Sequence, residues 1–170
     1  MAHFFLYIFF FFTALSTNAQ KTLSELLDKY NNKSIPYISV QELAMQNTEV
    51  FILDAREFSE YNVSHLKKAV FVGYNNFNTD TVLKTIKDKN QKIVVYCSLG
   101  IRSEDIAEQL KKAGYTNVYN LYGGIFEWKN NDFPVFDTNE KETEKIHAFS
   151  KQWSKWLTKG KKVYDTKKKH

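Results

Sequence analysis

Residues 92–114 constrain the fold more than any other stretch, because they read strand, tight loop and helix without interruption. Ile93, Val94, Val95 and Tyr96 form a continuous β-branched and aromatic run, the pattern of a strand buried on both faces of a parallel sheet. Ser103-Glu-Asp-Ile-Ala-Glu-Gln-Leu-Lys-Lys-Ala-Gly114 then carries acids in its first turn, lysines in its last and glycine at the stop, and Ile106, Ala107 and Leu110 form its inward stripe. Cys97, the chain's one cysteine, falls between them, at the carboxyl edge of the strand. Ligands of open α/β sheets bind at that edge, beside backbone N–H groups that lead into the positive end of a helix. A helix N-terminus and a neighbouring arginine, here Arg102, lower a thiol from about 8.5 by roughly one to several units. The alternative is that Cys97 is a small buried hydrophobe.

The rest of the chain repeats the alternation. Thr22-x-x-Glu25 reads as a capping box for a helix that shares Leu23, Leu26, Leu27 and Tyr30 on one face. Ile38 and Val40 suggest a first strand, and Ser39-x-x-Glu42 caps a helix through about Asn47. Residues 50–53 form the next strand, ending in Asp54 and Arg56, which can brace neighbouring loops. A helical turn over 57–64, a strand over 69–72, a helix over 81–88 and a last strand over 118–121 complete the pattern. Together they predict an α/β fold: a doubly wound, mainly parallel five-stranded sheet with helices on both faces.

The ends differ in character. Residues 1–19 hold an apolar run from Phe4 to Leu15 followed by Ser-Thr-Asn-Ala, the pattern of a secretory signal peptide cut before Gln20. Such a run spans about 18 Å as a helix, short of the roughly 30 Å of a bilayer core, so export to the periplasm or medium is expected, with an uncleaved anchor as the alternative because no Lys or Arg precedes the run. Residues 20–36 form a helical lead-in, 37–135 the main domain, and 136–170 a helical extension with a basic tail. In that extension Ile146, Phe149, Trp153, Trp156 and Leu157 lie on one stripe of a helix over about 139–157, which either packs back as an extra layer or docks a protein partner or a second copy.

Composition removes several functions. A net charge of +5, scattered apart from the tail, gives no nucleic-acid face. One cysteine excludes an internal disulfide and a dithiol redox pair, and no Cys and His cluster has zinc spacing, so neither a metal nor a cofactor is expected.

Cys97-x-x-Gly100-x-Arg102-Ser103 after a hydrophobic strand resembles the active-site loop of single-domain rhodanese sulfurtransferases. Two further stretches resemble that family's signatures: Leu53-Asp54-Ala55-Arg56-Glu57 with Glu60-Tyr61 and His65-Leu66, and residues 118–125 with Trp128. The resemblance covers roughly residues 37–135. It implies that Cys97 takes a sulfane sulfur from thiosulfate or a similar small anionic donor, holds it as a persulfide and passes it to a thiophilic acceptor. Ser98, Leu99, Gly100, Ile101, Arg102 and Ser103 would form the substrate loop, with amides turned inward and Arg102 either on the donor or bracing the loop. Asp54 and Arg56 would be supporting residues. Two rivals share the fold: a cysteine phosphatase or arsenate reductase, whose loops carry five residues between Cys and Arg where this chain has four, and a non-catalytic sulfur-carrying or protein-binding module.

Overall fold

The computed structural model describes residues 22–165. The proposed signal segment and the end of the basic tail lie outside them. Five strands make one parallel sheet: β1 (Tyr37–Ile38), β2 (Phe51–Asp54), β3 (Val70–Phe71), β4 (Ile93–Tyr96) and β5 (Val118–Leu121), in the order β1-β5-β4-β2-β3. The expected doubly wound architecture is therefore present. All four residues of β4 are buried, and they alternate between two cores. Val94 and Tyr96 face the side covered by α1 (Leu23–Tyr30), α2 (Val40–Ala44) and α6 (Gly124–Asn130), while Ile93 and Val95 face α4 (Thr79–Thr85) and α5 (Arg102–Lys112). The two-residue period of a strand supplies both cores from one run. A short helix α3 (Phe58–Val63) follows β2.

Local signals account for most helix starts. The side chain of Thr22 accepts the Glu25 amide while Glu25 accepts the Thr22 amide, so α1 opens on the expected reciprocal cap. Ser39 accepts the Glu42 amide and starts α2 at Val40, which takes Val40 out of the first strand. Among the described residues no helix is long and apolar enough to cross a membrane.

The expected C-terminal amphipathic helix over 139–157 is not formed. In its place β6 (Val135–Phe136) pairs antiparallel with β7 (Glu142–Thr143), and β8 (Lys145–His147) pairs parallel with β9 (Lys161–Val163), with one 3-10 turn at Ser154–Trp156. Asp137 turns the chain at the start by accepting the amides of Asn139 and Lys141. Glu140 and Phe149 have φ of 57° and 60°, in the left-handed region that no right-handed helix passes through. Ile146, Ala148 and Leu157 are nevertheless fully buried in the first core, against which Trp153 and Trp156 pack. Ile146, Trp153, Trp156 and Leu157 thus reach the domain as an extra layer carried by strands and turns, while Phe149 stays 46% exposed.

Candidate active site

Cys97 follows β4 directly and the next four residues form a loop that closes into α5, as the sequence predicts. The Gly100 amide donates to the Cys97 sulfur at 3.2 Å, and Ser103 Oγ lies 3.6 Å from it. Gly100 turns the loop with φ 96°, and a Cβ there would lie 3.1 Å from the Leu121 carbonyl oxygen. The loop's carbonyls are held from outside. Asn31 and Asn120 each donate to Gly100 O at 2.8 Å, and the first amides of α6, from Ile125 and Phe126, bond the carbonyls of Cys97 and Ser98 at 2.9 and 3.1 Å. With its carbonyls engaged outward, the loop turns amides toward the sulfur, which is the arrangement of an anion nest.

Arg102 neither binds loop carbonyls nor stands free. It forms a two-pronged ion pair with Glu60 of α3, Nη1 to Oε2 at 2.7 Å and Nη2 to Oε1 at 2.8 Å, and Nη2 also reaches Ser98 Oγ at 3.1 Å. Ser98 in turn donates to Glu60 at 3.0 Å. Burial alone would raise Glu60, but the hydrogen bonds and charge of Arg102, helped by the charge of Arg56, pull it down to about 2. Burial likewise pushes the Cys97 thiol up, while Arg102, the Ser103 hydroxyl and the amides of Ser103 and Leu99 outweigh it, so the thiol ends below its ordinary value.

Alkylation tests this balance. The midpoint of the pH dependence of iodoacetamide labelling at Cys97 is expected below that of an unperturbed thiol, and Arg102→Ala should move it upward by removing the neighbouring positive charge. A midpoint at or above that of a free thiol would show that burial wins.

Asp54 and Arg56 stand apart from the sulfur, at the end of β2 and fully buried. Arg56 holds both Asp54 oxygens, with Nη2 to Oδ2 at 2.6 Å, and bonds Ser64 O, while Tyr96 Oη donates to Asp54 at 2.5 Å. The group ties β2, β4 and the end of α3 together, and so fixes the helix that carries Glu60. Sequence reading places these two as supports and leaves out Glu60, Asn31 and Asn120 as site residues. Asn120 has a visible signal: a polar residue inside the apolar run of β5, fully buried, with Oδ1 2.7 Å from Ser103 Oγ. Among the described residues no three His, Cys, Asp or Glu side chains gather as metal ligands.

A cavity of about 250 Å³ opens above the sulfur. Cys97, Ser98, Leu99, Ile101 and Arg102 form its floor, and Tyr30, Phe149 and Trp153 its walls.

Residues 39–131 match the sequence profile of the rhodanese-like domain. The tRNA uridine(34) hydroxylase of Aster yellows witches'-broom phytoplasma (strain AYWB) is 37% identical over 114 residues, 63% of this chain and 36% of that protein. The chain thus spans about a third of the length of these hydroxylases. Thiosulfate sulfurtransferase GlpE of Coxiella burnetii is 29% identical over 108 residues, 64% of this chain and 96% of that protein. Among solved structures, a thiosulfate sulfurtransferase from Pseudomonas aeruginosa shares the fold with a TM-score of 0.57 and 22% identity, covering 72% of this chain and 23% of its own. The BH2092 protein of Bacillus halodurans does so with a TM-score of 0.55 and 23% identity, covering 69% and 88%.

Proposed function

We propose, from the premise that this chain belongs to the rhodanese-like domain family, that it is a sulfurtransferase working through a persulfide on Cys97. The observation that carries the reading is the nest itself: a thiol lowered below its ordinary value, with the Gly100 amide 3.2 Å from its sulfur. The Cys97 thiolate attacks the outer sulfur of a sulfane donor; the new S–S bond forms as the donor's own S–S bond breaks, and the donor leaves with the electron pair. The negative charge moves one atom outward, onto the terminal sulfur, where the loop amides stabilise it. A thiophilic acceptor then takes that sulfur and returns Cys97 as thiolate. Transfer in two steps needs no second cysteine, which suits a chain that has only one.

The phosphatase reading is weaker, because four residues between Cys97 and Arg102 make a small cradle and Arg102 is already committed to Glu60. The likeness to the hydroxylases covers about a third of their length, so uridine chemistry forms no part of the proposal. Intact mass after incubation with excess thiosulfate is the test. A gain of one sulfur that a reductant removes is expected, and a mass unchanged by thiosulfate and by an organic thiosulfonate alike would overturn the persulfide. The short apolar run and its small-residue end support export as well, so the same spectrum of protein recovered from its host should begin at Gln20.

A further inference from the structure

The cavity above Cys97 is walled by residues outside the stretch that matches the family profile. Tyr30 ends α1, and Phe149 and Trp153 belong to the C-terminal layer, whereas the match runs from 39 to 131. Tyr30 and Trp153 meet edge to face at 5.6 Å. Phe149 lies over the Arg102 guanidinium, 4.9 Å from carbon to ring centre. Leu99 and Ile101 complete an apolar lining.

Two details define this lining: it is held in place, and it carries little free charge. Phe149 adopts φ 60°, an uncommon conformation for a bulky side chain. The backbone around it is fixed, since the buried Ala148 donates to Val163 O at 2.8 Å and the Phe149 amide donates to His147 Nδ1 at 3.2 Å. The strain is thus maintained by its surroundings and leaves the ring over the site. Secondly, the cavity's one cation, Arg102, is paired on both prongs with Glu60 and shielded on one face by Phe149. A small inorganic dianion meets little unpaired positive charge here, and an aromatic ring meets three others.

We infer that this site selects an organic sulfur compound with an aromatic body, presented by Tyr30, Phe149 and Trp153, in preference to a bare inorganic donor. The inference rests on the sulfur-transfer reading and names its substrate class. A cavity of about 150 Å³ suffices for benzene, so the present one admits a ring together with its sulfur-bearing end. An aryl thiosulfonate is the simplest case. Cys97 thiolate attacks its terminal sulfur, the S–S bond of the donor breaks, and an aryl sulfinate leaves; two negative charges stand on each side, and no oxidant or reductant is consumed.

Steady-state transfer to cyanide from benzenethiosulfonate and from methanethiosulfonate tests the preference. The phenyl donor is expected to exceed the methyl donor by about tenfold or more in kcat/KM, the size of a few aromatic contacts, and Phe149→Ala with Trp153→Ala should erase most of that ratio. Equal rates for the two donors, with sulfur taken up from both, would overturn the substrate class and leave sulfur transfer intact. Calorimetric binding of benzenesulfinate against methanesulfinate to the Cys97→Ser protein reads the pocket without the chemistry. Ring-selective binding supports the inference even where no donor loads the wild type, a result that would overturn sulfur transfer instead; equal affinities overturn the inference.

Discussion

Cys97→Ser is expected to abolish sulfur uptake from every donor while leaving the fold almost as stable. An alcohol at this position has no accessible anion near neutral pH, so neither the attack nor the persulfide can form. The replacement is close in size, and the Gly100 amide that now meets the sulfur at 3.2 Å can donate to a serine oxygen instead. Because that hydrogen bond is kept, the stability change should stay within about 1 kcal/mol, which corresponds to a shift of about 2–4 °C in Tm for a domain of this size. Intact mass and thermal unfolding on the same sample check both halves. Retained turnover would overturn the mechanism, and loss of activity with collapse of the fold would show that the sulfur is mainly a packing element.

The sequence makes legible whatever is local. Ile93–Tyr96 is a strand, α5 ends at the expected lysines and glycine, and Cys97, Arg102 and Ser103 come together because they are neighbours in one loop. What holds that loop arrives from far along the chain: Glu60 from α3, Asn31 from beyond α1, Asn120 from β5, and the amides that open α6. No periodicity in any one segment encodes such a meeting. The C-terminal layer shows the opposite failure. Its apolar spacing fits a helical stripe, and Ile146 and Leu157 are indeed buried, but pairing of β8 with β9 and the turn at Asp137 decide the backbone. Burial pattern was informative there and element type was not, because tertiary pairing overrides a propensity that Thr138, Thr143 and Ile146 already weaken.

Glu60 is the position where stability and reactivity should move in opposite directions. Its side chain is 2% exposed and that of its partner Arg102 16%, so the pair is shielded from water and its loss is not softened as at a surface. Glu60→Ala leaves a guanidinium and the Ser98 hydroxyl without their acceptor, and the expected cost is about 2–4 kcal/mol, toward the lower end because Arg102 retains some contact with solvent. Yet the freed positive charge then acts on Cys97 alone, and the thiol should titrate lower than in the wild type. The dependence on acid separates this pair from the rest of the fold. Glu60 is lowered from 4.5 to about 2 in the folded chain, so its contribution is complete above pH 4.5 and is lost as the pH falls toward 2. Urea unfolding at pH 7 and pH 3 should therefore show a smaller difference for Glu60→Gln than for the wild type, with Arg102→Ala closing a double-mutant cycle. A Glu60→Ala protein as stable as the wild type at pH 7, or an unchanged acid sensitivity in Glu60→Gln, would mean that this ion pair does not brace the loop.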